Sequence, residues 1–144
     1  MQAQNFKNHT RLVPSYHFVL WSVVLALDIL AIIQLIFALK AGQGFLPSVM
    51  FILIAVALSI SSIQIRRFPL IAQDRAIRAE EKLRHFALTG KLMDSRLTIA
   101  QIIALRFAPD EELVGLTERA ATENLSSGDI KKAIQQWKAD YYRV

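Results

Sequence analysis

The pattern of apolar and polar positions in the first half of the chain consists of two long apolar runs. They cover residues 16–39 and 48–65, and the strongly polar side chains of the first run are Asp28 and Gln34. At about 1.5 Å per residue the runs reach roughly 36 Å and about 27 Å, compared with about 30 Å for the core of a bilayer. Because no polar stripe divides either run, we predict two membrane-spanning helices. A buried helical hairpin in a soluble protein is the alternative.

The segment between the runs, residues 40–47, has the composition of a tight reversal. It contains Gly42, Gly44 and Pro47. Proline suits the first turn of a helix, where its missing N–H costs nothing. The two spans are therefore predicted to form an antiparallel hairpin.

Basic residues predict the orientation of this hairpin. Lys7 and Arg11 precede the first span, Lys40 stands alone in the loop, and a basic stretch beginning at Arg66 follows the second span. Cytoplasmic loops carry the excess of Lys and Arg, so both termini are expected in the cytoplasm. The predicted membrane-interface residues at that end are Tyr16, His17, Trp21, Arg66 and Arg67. His17 lies near enough to the membrane to ligate a haem, although a single interfacial histidine is more typical of an amphipathic belt.

The second half has helical periodicity and no strand-like alternation. A kink or a new helix start is expected at Pro69. The stripe that follows runs along one helix face through Phe68, Ala72, Ala76, Ala79, Leu83 and Phe86, and Thr89-Gly90 supplies a stop. This stripe looks exposed.

Three shorter helices are predicted after Gly90. Thr98 with Gln101 forms a capping box that opens 99–107, and Pro109 followed by three acids opens a helix that ends near residue 124. Ser126 or Ser127 caps the last helix, whose stripe contains Ile130, Ala133, Ile134, Trp137 and Tyr141. The fold class is all-α: a transmembrane helical hairpin (16–65) between a cytoplasmic N-terminal segment (1–15) and a small cytoplasmic helical module (66–144).

Asp28 is the most unusual residue of the apolar runs. A carboxylate at mid-bilayer costs a few kcal/mol or more unless it is protonated, paired or hydrated. Equal rise in both helices places Asp28 level with Leu53 or Ile54, which offer no polar atom. The hairpin is then unable to satisfy its own acid, so Asp28 is either neutral and tolerated or bound by another chain. Gln34 lies about 240° further round the helix, so the two do not form one proton wire.

Serines follow near the end of the second run. Ser59, Ser61 and Ser62 either permit close approach of the helices or bond to the preceding turn of their own helix.

The last helix is predicted to dock. It is too short to be stable alone, so its apolar face must be buried on the preceding helices or on a partner. The residues assigned to partner docking are Ile130, Ile134, Trp137 and Tyr141.

Charge and composition narrow the possible functions. The chain carries 17 basic and 12 acidic residues and no cysteine, which excludes disulfides and thiol catalysis. The sequence contains no nucleophile–base pair, glycine-rich phosphate loop or HExxH motif. We predict no enzymatic activity, no cofactor or metal, no nucleic-acid partner and no small-molecule substrate.

Separated segments together resemble a known family. They are QNFKNHTRLVP at residues 4–14, YHF at 16–18, QDRAIR at 73–78, ALRFA at 104–108 and IKKAI at 130–134, followed by Trp137, Asp140-Tyr141 and Arg143-Val144. In this order they resemble an uncharacterised bacterial family of small two-span membrane proteins, classed as a domain of unknown function. The resemblance implies a bacterial inner (plasma) membrane protein and carries no activity with it.

Two functions follow as expectations. The first is a non-enzymatic integral membrane subunit or adaptor that assembles with itself or with a larger membrane complex through the hairpin and the cytoplasmic helices. The alternative is a homo-oligomeric proton or cation pathway that uses Asp28. A membrane enzyme acting on lipid ranks below both, because the sequence supplies no acid–base pair.

Overall fold

The computed structural model describes residues 4–141, and over that range the chain is helical without a strand, as predicted. A short π-helix (Ser15–Leu20) leads into α1 (Trp21–Ala41), which is followed by α2 (Phe45–Thr89), α3 (Ile99–Leu105), α4 (Asp110–Thr122) and α5 (Ser127–Ala133). The chain divides into two compact units. Arg11–Pro69 forms the helix-pair unit, and Met1–Thr10 with Leu70–Val144 forms the module.

The connection between α1 and α2 is a tight turn, as predicted, and is shorter than the expected loop. Gly42 and Gly44 have φ angles of 67° and 76°, a left-handed conformation that glycine adopts without steric cost. Pro47 lies in the first turn of α2. Ser48 Oγ donates to the carbonyl of Gly44 at 2.8 Å, which satisfies one carbonyl of the turn. The reversal therefore needs three residues, 42–44.

Of the two outcomes expected at Pro69, a kink or a new helix start, the new helix start does not occur. α2 continues through Pro69 and ends at Thr89, where Gly90 takes a φ of 69° and provides the predicted stop. An internal proline costs about 3 kcal/mol, but this cost is local. The long runs of helix-forming residues on both sides are sufficient to keep the helix continuous.

The apolar stripe of α2 is exposed, as expected, and the opposite face of the same helix is buried in the module. Leu83 is 68% exposed, whereas Ile77, Glu81 and His85 are buried. The buried polar groups have partners: Glu81 Oε2 accepts from Arg84 at 3.0 Å, and His85 Nδ1 lies 3.1 Å from the carbonyl of Lys91. These hydrogen bonds allow a polar face to be the packed one.

The helices α3 to α5 start where the sequence predicts. The Thr98 backbone N–H donates to Gln101 Oε1 at 2.7 Å, and the Gln101 N–H donates to Thr98 Oγ1 at 3.3 Å, so the capping box is confirmed. α4 begins directly after Pro109, and Ser126 caps α5 by accepting from the N–H of Asp129. The core that these helices enclose consists of Met93, Leu97, Ile102, Ala104, Leu105, Phe107, Ala108, Leu113, Leu116, Ala120, Ile130 and Ile134.

The predicted continuation of α5 to Tyr141 is wrong, because the helix ends at Ala133 and Ile134 is extended. The backbone N–H groups of Gln135 and Gln136 donate to the Glu112 carboxylate at 3.0 Å and 2.9 Å. In a continued helix these two groups would bond to carbonyls four residues earlier. The Glu112 carboxylate therefore takes the place of the backbone carbonyls that would accept these two N–H groups in a longer helix.

Candidate functional site

The polar centre of the helix-pair unit joins Asp28 of α1 to Ser59 of α2. Ser59 Oγ lies 3.0 Å from Asp28 Oδ2 and 3.3 Å from Oδ1, and it donates to this carboxyl group. Both side chains are partly buried. The expectation that Asp28 faces Leu53 or Ile54, and has no polar partner within the chain, is wrong.

The error in register has a simple physical reason. The register of the two helices is set by the turn between them and not by the outer ends of the two apolar runs. Asp28 and Ser59 lie at nearly equal distances along the chain from Ala41 and Phe45, where the two helices meet the turn. Equal rise per residue then brings them opposite each other.

The neighbouring serines are used differently. Ser62 Oγ donates to the carbonyl of Leu58 at 2.8 Å, which is bonding to the preceding turn of its own helix. Ser61 is exposed. Of the three serines, Ser59 is therefore the one that binds Asp28. The three side chains have different roles and do not act together as a stripe of small residues.

Gln34 borders an apolar groove of about 570 Å³ between the two helices. Its backbone carbonyl lies 3.5 Å from Ser48 Oγ. The groove is lined by Leu27, Leu30, Ala31, Ile33, Gln34, Phe37, Phe51, Ile54, Ala55 and Leu58. The structure does not bring Gln34 together with Asp28, which agrees with the separation expected from the helical angle.

The predicted interface residues largely form one cluster. Tyr16 donates its hydroxyl to the carbonyl of Ser62 at 2.8 Å, and its ring lies edge-on to His17 and Trp21, with centroids 5.0 Å and 6.4 Å away. The Arg66 guanidinium lies 6.0 Å from the centre of the Tyr16 ring, a cation–π distance. The cluster therefore combines aromatic rings, a histidine and a permanent positive charge.

Two details complete this region. His17 Nδ1 lies 3.0 Å from both the backbone N and the carbonyl O of Val13, so one ring nitrogen is engaged by the chain. Arg67 is exposed. As the residue after Arg66, it lies about 100° further round the helix axis.

The residues predicted for partner docking are largely used by the chain itself. Ile130 and Ile134 are 0% and 6% exposed within the module core. The ring of Trp137 packs against that of Phe107, with centroids 4.9 Å apart. Tyr141 is exposed. The sequence left open whether this face is buried on the preceding helices or on a partner. In the structure, Ile130 and Ile134 are buried against preceding segments of the same chain.

Within the module, residues 4–10 pack on the C-terminal part of the chain, an arrangement that sequence reasoning missed. Gln4 Oε1 accepts from the backbone N–H of Asp140 at 2.8 Å. The His9 ring lies 5.8 Å from Trp137 and 6.0 Å from Phe107, and Lys131 Nζ is 3.2 Å from His9 Nε2. The segment is polar and aperiodic, so no pattern in it signalled this contact.

Charged groups tie the C-terminal part of α2 to the following helices. Arg84 donates to Asp110 Oδ1 at 2.6 Å, to the carbonyl of Ala108 at 2.9 Å and to Glu81. A guanidinium offers five N–H donors in a fixed fork, so one side chain can join three segments. The α2 residues in this network are Glu81 and Arg84, which lie on one side of the helix.

Two carboxyl groups of the module have lowered pKa values. A hydrogen bond from Arg96 lowers the pKa of Asp94 from 3.8 to about 2. A hydrogen bond from Ser126 lowers the pKa of Asp129, with help from nearby Lys132. Both groups stabilise local structure, Asp94 in the turn before α3 and Asp129 in the first turn of α5. Within residues 4–141, no three His, Cys, Asp or Glu side chains come together in a way that could hold a metal ion.

Comparisons with known proteins give one finding and two negative results. A family of unknown function, DUF6526, matches the chain over residues 1–144. No curated protein and no solved structure matches it.

Proposed function

Because the chain belongs to DUF6526, a family without an assigned function, we propose its role from its own structure: a non-enzymatic integral membrane subunit or adaptor. It assembles with itself or with a larger membrane complex through a transmembrane hairpin and cytoplasmic helices.

The exposure of the two apolar helices carries this proposal. Two helices, Ser15–Ala41 and Phe45–Thr89, are long and apolar enough to cross a membrane, and 17% of the apolar stretch of each is buried. Phe37 and Leu53 are both 63% exposed. A core helix of a soluble protein buries most of such a stretch, and large exposed apolar surfaces are rare on soluble monomers. Lipid is the environment that suits this surface.

Contacts inside the module support a topology with both termini on one side. Gln4 and Asp140 are hydrogen-bonded, so the residues before the first apolar helix and those far after the second belong to one folded unit. Two spans return the chain to its starting side. The basic residues that flank the spans favour the cytoplasm as that side.

The hydrogen bonding of Asp28 supports assembly with a further chain. An ionised carboxylate has about four acceptor positions, and the Ser59 hydroxyl provides one donor. The other acceptor positions of Asp28, which is partly exposed, are best satisfied by a polar group on another chain. The reason is that polar groups within membrane spans usually face protein or water.

The proton or cation pathway is a weaker proposal. The Asp28–Ser59 pair favours it, but the groove between the helices is lined almost entirely by apolar side chains. Flux across liposomes separates the two functions. A pathway requires that Asp28→Asn reduce the flux, and equal flux for both proteins removes this candidate.

Purification from membranes tests the assembly role. We expect the chain in the membrane fraction, resistant to alkaline carbonate, and a particle in mild detergent whose protein mass, after subtraction of the bound detergent, exceeds the 16.3 kDa of one chain. Release by carbonate would contradict the membrane assignment. A strictly monomeric particle without any co-purifying protein would contradict the assembly role.

A further inference from the structure

The exposed stripe of α2 within the module has the spacing of a coiled-coil seam. Ala72, Ala76, Ala79, Leu83 and Phe86 follow one another at steps of four, three, four and three residues. This is the heptad spacing at which an apolar seam keeps facing a second helix. The structure exposes all five residues, with Leu83 at 68% and Phe86 at 47%.

Within residues 4–141, the chain does not cover this seam itself. The side of α2 that the module buries contains Ile77, Glu81 and His85, and it lies opposite the seam. α2 therefore has one face that is already packed and another that has the geometry for a partner helix. We propose that this partner is α2 of a second copy of the chain, parallel and in register.

The charges beside the seam select a second copy. Arg75 and Lys82 occupy the positions just before the seam residues Ala76 and Leu83, and Glu80 follows Ala79 on the other edge. All three charged residues are exposed, and within the described range none of them takes part in an ion pair. One edge of the seam is basic and the other carries an acid, so the surface is complementary to itself.

A parallel pair uses this complementarity, whereas an antiparallel pair does not. In a parallel coiled coil, the residue before one seam position faces the residue five places later on the second helix. Arg75 then meets Glu80 of the second copy, and the two-fold axis makes this contact twice. In an antiparallel pair the two basic edges would face each other.

The complementarity also distinguishes a second copy from a lipid surface. An anionic membrane would attract Arg75 and Lys82 but repel Glu80, which borders the same apolar stripe. The small side chains of Ala72, Ala76 and Ala79 allow two helix backbones to approach closely, which a bilayer does not require.

The seam pairing rests on the assembly role proposed above, because membrane insertion gives both copies the same orientation. Two heptads are short for an isolated coiled coil. Copies held in one membrane meet at a high effective concentration, which compensates for the limited contact.

Cysteine cross-linking of the full chain in native membranes tests the geometry, since the sequence contains no cysteine. Ala72→Cys and Phe86→Cys mark the two ends of the seam. In a parallel pair each faces its own copy, so oxidation should give a dimer at both positions. Leu88→Cys is the matched control, because Leu88 is 44% exposed on the side of α2 away from the seam.

In an antiparallel pair the two copies of residue 72 would lie about 21 Å apart, beyond disulfide reach. Cross-linking at Ala79→Cys without cross-linking at Ala72→Cys would therefore overturn the proposal. Equal cross-linking of Leu88→Cys would also overturn it, because that pattern indicates random collision.

Charge exchange tests the identity of the partner. In the Ala72→Cys background, Arg75→Glu and Glu80→Arg should each reduce dimer yield about fivefold, because an attractive pair becomes a repulsive one on both sides of the axis. The double variant should restore the yield. A double variant that stays low would overturn pairing with a second copy.

The native mass separates the two proposals. Absent cross-links at Ala72→Cys and Phe86→Cys, with a particle that still holds more than one chain, would overturn the seam and leave the assembly role intact. A monomeric particle without a partner would overturn both.

Discussion

At the scale of single residues, the amide of Gln101 joins three segments of the module. Its Nε2 donates to the carbonyl of Leu125 at 2.9 Å and lies 3.4 Å from that of Ala120, while its Oε1 accepts from the backbone of Thr98 at 2.7 Å. The side chain is buried. Buried polar groups that lose their partners cost more than the hydrogen bond contributes, so this amide is a sensitive point of the module.

We expect Gln101→Ala to lower the free energy of unfolding of the module by about 2 to 3 kcal/mol, because three backbone groups, in one buried and two partly buried hydrogen bonds, lose their partner together. Hydrogen exchange of α3 to α5 measures the change. Thr98→Ala is the control, since it removes the cap alone and should cost about 1 kcal/mol. A loss for Gln101→Ala no larger than that of the control would contradict this account.

Asp28 gives the second prediction at this scale. Asp28→Leu should leave membrane insertion intact or improve it, because a costly polar group is removed. Assembly should weaken by about 1 kcal/mol if a second chain supplies a donor to the acid. Ser59→Ala separates the two contacts, since it removes the internal donor and leaves the acid for the other chain. An assembly of unchanged stability after Asp28→Leu would show that Asp28 does not contribute to it.

At the scale of elements, the starts of helices were predictable and some of their ends were not. Thr98 and Ser126 mark starts by local chemistry, because their side chains accept an N–H of the first turn of their own helix. Pro109 marks a start through its fixed φ and the three acids that follow it at the positive end of the helix dipole. The end of α5 depends on Glu112, which is distant in the sequence and takes the N–H groups after Ala133. No local signal could predict that contact.

The candidate site was predictable to a similar extent. Composition indicated Asp28 as unusual and Tyr16, His17, Trp21 and Arg66 as neighbours at one end of the apolar runs. The Ser59 partner was missed because the position of the turn sets the register, and the turn is shorter than its glycine and proline content suggested. Periodicity also identified the exposed stripe of α2, but it did not indicate that the polar side chains of Glu81 and His85 are the ones that the module buries.

The turn before α3 gives a prediction on pH. A hydrogen bond from Arg96 lowers the pKa of Asp94 to about 2 in the folded chain, from 3.8. A carboxyl group whose pKa is lowered on folding stabilises the fold above pH 3.8, and this contribution is lost as the pH falls toward 2. Carboxyl resonances in an NMR titration should show a midpoint near 2 for Asp94. Arg96→Ala should move that midpoint back toward 3.8, and an unchanged midpoint would contradict the assignment.

At the scale of the whole molecule, the proposed topology can be tested by labelling. Gln43→Cys, in the turn between α1 and α2, should react with an impermeant thiol reagent in intact cells. Leu92→Cys should not react, although Leu92 is 85% exposed in the structure. It should react after the cells are opened, which shows that protection comes from the membrane. Labelling of Leu92→Cys but not Gln43→Cys in intact cells would reverse the orientation.

The contact between Gln4 and Asp140 also determines the order of events during synthesis. These residues are 136 positions apart, with both apolar helices between them. At about 5 to 20 residues per second, the ribosome reaches residue 140 on the order of ten seconds after residue 4. In the proposed topology, the residues before Arg11 are therefore made well before the surface on which they pack, and both apolar helices would enter the membrane in the interval. The module closes last, and a chain stalled before that point exposes Phe107 and its neighbours to the quality-control proteases of the cell.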